Sequence, residues 1–303
     1  GLRVVFVEPR GELLQPGKSQ PQPPRPLDGK PVALDDPIDR RQVLANWLTS
    51  ADNPYFARSI TNRVWANFFG VGLVEKVDDM RVTNPPSNEP LLNATTQHFV
   101  DHRFDIKELI RTIVNSATYQ TSSQTNHSNE SDERFYSHYY PRRLKAEVLL
   151  DAISVVTGAT TVFKGPDNKP IAQSPRALQL ADASIDSYFL KTFGRPERLI
   201  TCDCERSDEP SMPQVLHMLN GETVNGKLQA ADNSIQKWIT DGTAATAIVR
   251  ETFLAALSRL PTSAEETRLA AALETAADPT EKRLLLEDFL WSVISSREFV
   301  FNH

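Results

Sequence analysis

The sequence has no apolar run of the roughly 18 residues that a membrane-spanning helix needs, and it has no excess of basic residues. Its 33 Lys and Arg are outnumbered by 39 Asp and Glu, which gives a formal net charge of -6. Proteins bind phosphate backbones through clustered Lys and Arg, and here the arginines are interleaved with acids. We therefore expect no membrane span and no nucleic-acid partner.

The sequence also lacks the short motifs of common catalytic and cofactor sites. It contains no glycine-rich phosphate loop, no G-x-S-x-G elbow, no H-E-x-x-H and no C-x-x-C-H haem attachment. The first residues lack the features of a signal peptide, and the chain begins with glycine. We expect no cofactor in this chain, which we interpret as the C-terminal part of a longer protein, and whether it is an enzyme stays open.

Cysteine is scarce, and both cysteines, Cys202 and Cys204, lie in the stretch TCDCERSDEP. In an extended segment, residues i and i+2 point to the same side, so the two sulfurs can bridge after local distortion. Two reduced thiols in a structural turn and a metal site are the alternatives, and no further ligand stands at a familiar zinc spacing. We predict a charged loop that carries a disulfide, and no metal.

Proline, by contrast, is abundant near the N-terminus, where seven prolines fall between Pro16 and Pro37. This density forbids helix and favours an extended linker. The preceding RVVFVEP is β-branched and aromatic and predicts a strand. We expect a strand and linker over residues 1–37 and a helical domain over 38–303, with halves at 38–157 and 176–303.

Helix signals dominate after residue 38. Asn53 before Pro54 predicts a helix start. An apolar stripe with a spacing of four then follows at Phe56, Ile60, Val64 and Phe68. Capping patterns predict three more starts, at Asp105 with Glu108, Ser263 with Glu266, and Asp278 with Glu281. The last of these helices is expected to reach the C-terminus, and polar stretches at 120–133 and 157–175 indicate loops. The predicted fold class is mainly α, a multi-helix globular domain.

One charged grouping on a predicted helix could carry chemistry. In RRLKAEVLLDA, Arg143, Glu147 and Asp151 stand at successive i, i+4 positions and would share one helix face. Two carboxylates can act as acid and base or bind a metal, but an arginine at the head of such a ladder favours an ion network. We expect Glu147 and Asp151 to bond to Arg143 or to an arginine of a neighbouring helix, such as Arg63.

Arg63 itself interrupts the aromatic-rich stretch NRVWANFFG. An arginine among aromatic rings can stack on them, cap a partner helix or pair with a nearby carboxylate such as Asp78 or Asp79. We expect such a packing role rather than ligand binding.

His98 and His102, at i, i+4 in TTQHFVDHRF, would suit a metal on a helix face, but no third ligand lies near them in sequence. We expect a solvated helix face there.

Nine motifs occur in an order that resembles the planctomycete PSD domain, a domain of unknown function. They are RRQVLANWL, NPYFAR, NRVWANFFGVGLVE, DDMRVTNPPSNEPLL, KELIRTIVNSATYQ, RRLKAEVLLDA, CDCERSDEP, LHMLNG and SREFVFNH. The resemblance runs from about Arg40 to Asp151, returns from Phe193 to Gly221 and closes the chain from Leu260 to His303. It implies the C-terminal part of an exported, extracytoplasmic bacterial protein, often behind a cytochrome c module.

Two hypotheses for the function follow. The favoured one is a non-catalytic accessory or interaction domain that scaffolds other domains of the parent chain or exported partner proteins. The alternative is a redox or hydrolytic enzyme with its site around the cysteine stretch. Its candidate residues, besides the cysteines, are Arg195, Arg198, Glu205, Arg206, Asp208 and Glu209. The enzyme would be favoured if residues 195–210, the face of Arg143, Glu147 and Asp151, and the largest cleft coincide.

Overall fold

The computed structural model describes residues 12, 14–165, 168–171, 176–180, 185–197, 206 and 210–302. Within these residues the fold is mainly α, with one two-stranded sheet, which confirms the predicted class. The strand expected at RVVFVEP lies outside the described residues. The proline-rich stretch contains neither helix nor strand in residues 14–39. Among the residues that the structure describes, every helix is too short or too polar to cross a bilayer.

The chain divides into two compact units, residues 1–140 and 141–303. The sequence placed the break between its two halves later, at residues 158–175. The difference arises because the helix over Ala146–Thr157 packs against helices that follow it in the chain. Sequence patterns locate loops well, but only packing shows which core a helix joins.

The first unit contains four helices among its described residues: α1 (Arg40–Leu48), α2 (Phe56–Phe69), α3 (Glu89–Asp101) and α4 (Ile106–Val114). The Asn53 carboxamide oxygen accepts hydrogen bonds from the amides of Tyr55 and Phe56, at 2.8 and 2.9 Å, but α2 begins at Phe56, two residues later than Pro54. Asp105 accepts from the amides of Lys107 and Glu108, at 2.8 and 3.2 Å, as its capping pattern predicts.

The buried side of α2 lies one residue away from the predicted stripe. Phe56, Ile60, Val64 and Phe68 are only partly buried. The buried residues are instead Ala57, Thr61, Asn62, Trp65 and Phe69. The apolar face of this helix is wide enough to include both sets of residues, and the core buries the second set more deeply. The predicted stripe was therefore one residue away from the buried one.

Aromatic rings form much of the first core. Trp65 stacks on Phe69 with ring centroids 4.3 Å apart, and Tyr136 meets these two rings edge-on at 5.5 and 5.2 Å. The Tyr136 hydroxyl donates to the carbonyl of Val71 at 3.1 Å, and burial raises its pKa to about 12. The stretch 120–133 before it contains no helix or strand, as predicted, and so Tyr136 fastens a long loop to α2.

The second unit holds the remaining elements. They are β1 (Arg142–Arg143), α5 (Ala146–Thr157), a 3-10 turn (Ala177–Gln179), α6 (Tyr188–Thr192), α7 (Met212–Asn220), α8 (Glu222–Gln229), α9 (Ser234–Asp241), α10 (Ala245–Leu257), α11 (Ser263–Leu273), α12 (Pro279–Ile294), α13 (Arg297–Val300) and β2 (Phe301–Asn302). The expected loop at 157–175 contains, among its described residues, a bridge between Lys164 and Pro170. Fully buried side chains of α5 and α12 lie in one core, and α12 contributes Leu286, Leu290 and Ile294 at a spacing of four.

The start of α11 differs from the sequence prediction by one residue. The box expected at Ser263 and Glu266 is one residue earlier, where Thr262 accepts from the Glu265 amide at 3.2 Å and Glu265 accepts from the Thr262 amide at 2.7 Å. The other expected helix start is confirmed, since Asp278 accepts from the amide of Glu281 at 2.8 Å, but Glu281 accepts from the Ala277 amide, at 2.6 Å, rather than from that of Asp278.

The last predicted helix does not reach the C-terminus. It ends at Ile294, and Ser296 then caps α13 by accepting from the Phe299 amide at 3.2 Å. The last described residues form β2, whose two residues pair antiparallel with β1. The helix prediction failed because these final apolar residues join a sheet whose other strand is about 160 residues earlier in the chain, which local patterns do not register.

Candidate functional site

Glu147 forms a largely buried ion pair with Arg206. The carboxylate lies in the first turn of α5 with its side chain 14% exposed, and both guanidinium nitrogens of Arg206 donate to it, at 3.0 and 2.9 Å. Arg195 lies farther off, with its Nε 4.0 Å from Oε1. Burial by itself would raise the pKa of Glu147, but the hydrogen bonds and charge of Arg206, helped by Arg195, lower it below its ordinary value. Glu147 is therefore held ionised and fully engaged.

Arg143, which the sequence placed on the same helix face, is not on the helix. It lies in β1, three residues before α5 begins, so the predicted i, i+4 ladder loses its first member. Its guanidinium donates to the side-chain oxygen of Gln214 and to the Phe193 carbonyl, the latter at 3.3 Å. It also lies over the Phe193 ring, 5.6 Å from the centroid. Arg143 thus joins the end of α6 to the start of α7.

Asp151 has a third arrangement. Its carboxylate accepts hydrogen bonds from the backbone amides of Ala177 and Leu178, at 2.7 and 3.2 Å. The sequence-based expectation of an arginine partner is therefore wrong for Asp151, which caps the start of the 3-10 turn instead. A carboxylate at the N-terminal end of a turn satisfies amides that have no partner within the turn.

Arg63 pairs with Asp78, as one of the sequence alternatives proposed. Arg63 and Asp78 are both more than a third exposed, so the pair contributes little to stability, under about 1 kcal/mol. The neighbouring Asn62 matters more to the fold. It is fully buried, donates to the Val74 carbonyl at 3.0 Å and accepts from the Val74 amide at 2.9 Å, which closes the loop after α2.

Several candidates lie outside the described residues. They are Cys202, Cys204, Arg198, Glu205, Asp208 and Glu209. The disulfide between the cysteines therefore stays a prediction. Of the charged residues in TCDCERSDEP, Arg206 is the one that the structure describes, and it bonds to Glu147.

A cavity of about 720 Å³ lies elsewhere in the second unit, bounded by the loop after α5 and by α7 and α8. Its polar lining includes Tyr188, His217, Glu222, Thr223, Lys227 and Asp232. Neither Glu147 nor Arg143 belongs to this lining. Of the site residues that the sequence selected, those that the structure describes do not line this cavity.

Two basic side chains of this cavity are buried. Lys227 is 7% exposed, its Nζ donates to the Ala159 carbonyl at 2.6 Å, and burial lowers its pKa to about 8 although the Asp151 carboxylate favours the charged form. His217 shares a hydrogen bond of 2.9 Å with the hydroxyl of Thr223, and burial lowers its pKa as well. Both groups therefore lose their protons more readily than exposed counterparts.

A comparison with protein families matches residues 40–273 to PSD1, described as a protein of unknown function (DUF1553). The chain belongs to the PSD1 family. The match begins at the first residue of α1 and ends at the last residue of α11, so it extends over most of both units. The second core of this PSD1 chain continues beyond the matched residues, since α12 packs within it. Searches of curated proteins and of solved structures found no match.

Sequence reasoning on this PSD1 chain missed the cavity because its polar residues form no known motif. One signal was present, since Lys227 stands between Val224 and Leu228 at the i, i+3 and i, i+4 spacing of a buried helix face. A lysine on the same side of a helix as buried apolar residues is itself expected to be buried. The partner of Glu147 gave no comparable signal, because Arg206 is 59 residues away in sequence.

Proposed function

We propose that this PSD1 domain is a non-catalytic interaction module of a larger exported bacterial protein, and that the apolar face of α7 is its docking surface. The face consists of Met212, Val215, Leu216 and Leu219, whose exposed fractions are 69, 51, 54 and 38%. Their spacing of three, four and seven residues places them on one side of the helix. This exposed row is the observation that carries the proposal.

The opposite side of α7 is fixed in the second unit. Gln214 donates to the Thr192 carbonyl at 3.0 Å and is nine-tenths buried, like His217 and Met218. Near the C-terminal end, Trp291 donates from its indole nitrogen to the Leu219 carbonyl at 3.1 Å. A helix held on one side presents its other side with little loss of entropy on binding, which favours association.

The chemistry of the face indicates an apolar helix as its partner. The sequence of α7, MPQVLHMLN, contains no Asp, Glu, Lys or Arg, so the helix itself offers a ligand no carboxylate, ammonium or guanidinium group. Apolar residues at this spacing are the pattern by which one helix packs against another. We propose that the partner helix belongs to another domain of the parent chain or to an exported partner protein.

Among the residues that the structure describes, the two candidate carboxylates for an enzyme site, Glu147 and Asp151, already have partners within the fold. Glu147 is engaged by Arg206, and Asp151 by two backbone amides. Arg206 is the one charged residue that the structure describes in TCDCERSDEP, the stretch around which the redox or hydrolytic alternative was built, and its guanidinium is already paired. These contacts support the interaction module over the enzyme.

The location and the wider context are proposals that rest on the family resemblance. We propose an extracytoplasmic position in a planctomycete-type bacterium, in a parent protein associated with a cytochrome c module. Cell fractionation with an antibody to the domain tests the location, and recovery in the cytoplasmic fraction would contradict it.

Site-directed photo-crosslinking tests the docking surface. A photoreactive amino acid at Leu216 is compared with one at Leu254, which is equally exposed but lies on α10. We expect a discrete adduct from position 216, whose partner is identified by mass spectrometry and then purified. Its affinity for the chain should fall at least about tenfold with Leu216→Lys and stay unchanged with Leu254→Lys. Equal adducts from both positions, an adduct with a second copy of the chain, or an unchanged affinity would overturn the proposal.

A further inference from the structure

The turn between α3 and α4 brings together three side chains that metal ions favour. His98 and His102 stand one helical turn apart at the end of α3, and Glu108 lies in the first turn of α4. One ligand atom from each of the three residues lies within 4.8 Å of the others. The connection is tight because Arg103 and Phe104 both adopt positive φ, at 55 and 62°. This reversal of the chain supplies the third ligand that the sequence did not reveal.

The two imidazoles are already oriented by second hydrogen bonds. The Nδ1 of His102 lies 2.8 Å from the His98 carbonyl oxygen, so it carries the proton and leaves the lone pair on Nε2. The Nε2 of His98 lies 3.1 Å from the hydroxyl of Thr112 on α4. Metal-binding histidines are typically held by such a bond from the other ring nitrogen to a carbonyl or polar group, which fixes the tautomer and the ring direction.

We propose that His98, His102 and Glu108 bind a divalent transition-metal ion of the zinc class. Two imidazole nitrogens and one carboxylate oxygen are a donor set that zinc accepts, and a fourth position would be open to water or to a ligand. Arg111 contacts Oε2 of Glu108, which leaves Oε1 for the ion. The site lies in the first unit, whereas α7 lies in the second, so it does not depend on the docking surface.

Titration of the full chain with Zn²⁺ tests the site, with Co²⁺ as a spectroscopic probe of the ligand set. Thiols also bind zinc, so the measurement uses the full chain with Cys202→Ser and Cys204→Ser. We expect one ion per chain, and we expect the affinity to fall at acid pH because the imidazoles must be neutral to bind. His98→Ala, His102→Ala and Glu108→Gln should each weaken the affinity at least about tenfold.

His127→Ala is the matched control, because His127 is exposed in the loop after α4 and should leave the affinity unchanged. Circular dichroism checks that each variant folds, and His102, which is exposed, is the replacement least able to disturb packing. Absence of binding at a tenfold excess of ion would overturn the proposal. The same conclusion would follow if binding survived both His102→Ala and Glu108→Gln, or if His127→Ala weakened it equally.

Discussion

Lys227 allows the sharpest test of the energetics. Its ammonium group is buried in the second unit, and burial lowers its pKa to about 8 from an ordinary value of 10.5. The difference corresponds to a penalty of about 3 kcal/mol on the charged form in the folded state, at 1.36 kcal/mol per pKa unit. Replacement by methionine, which is similar in length and apolar, removes this penalty. It also removes the hydrogen bond to Ala159, a loss of about 1 kcal/mol.

The net expectation is that Lys227→Met raises the free energy of unfolding at pH 7 by about 2 kcal/mol. The pH dependence gives a second signature. Between pH 8 and 10.5 the unfolded chain retains a proton at this lysine that the folded chain has lost. The wild-type stability contribution of Lys227 therefore rises with pH across this window. The variant lacks this rise, so its advantage over the wild type shrinks toward alkaline pH.

Urea unfolding followed by circular dichroism, at a series of pH values from neutral to about 10, measures both signatures. Lys237→Met is the control, because Lys237 is exposed on α9 and should change neither the stability nor its pH dependence appreciably. The reasoning would be refuted if Lys227→Met were less stable than the wild type at pH 7 and if the free energy of unfolding of the variant still rose between pH 8 and about 10. That result would mean that the buried ammonium stabilises the fold.

Two further predictions concern the ion pair and the buried amide. Glu147→Gln should cost about 3 kcal/mol at neutral pH because it leaves Arg206 without its carboxylate. Since the pKa of Glu147 is lowered in the folded chain, this loss should shrink as pH falls below the ordinary value of 4.5, and a pH-independent loss in urea titrations would contradict it. Asn62→Ala should cost about 2 to 4 kcal/mol, because both backbone groups of Val74 lose a buried partner. Arg63→Ala, next in sequence, breaks an exposed pair and should cost under about 1 kcal/mol, so equal thermal shifts for the two variants would refute the assignment.

Helix starts were predictable where the capping contact is local. Asp105 and Asp278 bond to amides within three residues, so their side chains are sufficient to mark the start. The box at Thr262 was assigned one residue late because Ser263 with Glu266 offers the same residue types at the same spacing. The sequence alone does not distinguish two such boxes when they overlap. Packing of the helix selects one register, and packing is not local.

The site residues were less predictable because their partners are distant in sequence. The ladder at Arg143 fails at the first step, since the chain is still in β1 there and pairs with residues at the C-terminus. The i, i+4 rule applies only when both positions lie on one helix. For the histidines of α3, the third ligand comes after a turn whose two residues have positive φ, and these residues are not glycine. Without glycine at these positions, the sequence does not indicate that the chain reverses there.

Arg143, Glu147 and Asp151 share a structural role that their i, i+4 spacing did not show. Arg143 bonds to residues at the end of α6 and the start of α7, Glu147 bonds to Arg206, and Asp151 bonds to the turn at Ala177. Each side chain therefore attaches a different part of the long connection between α5 and α7. The described part of this segment also packs on the second core through Ala177, Phe189 and Leu190, so these polar contacts add to its packing. Because α7 follows directly on this segment, the position of its apolar face depends on the same contacts. The charged residues that suggested catalysis in the sequence would then support the docking surface by holding the helix that carries it.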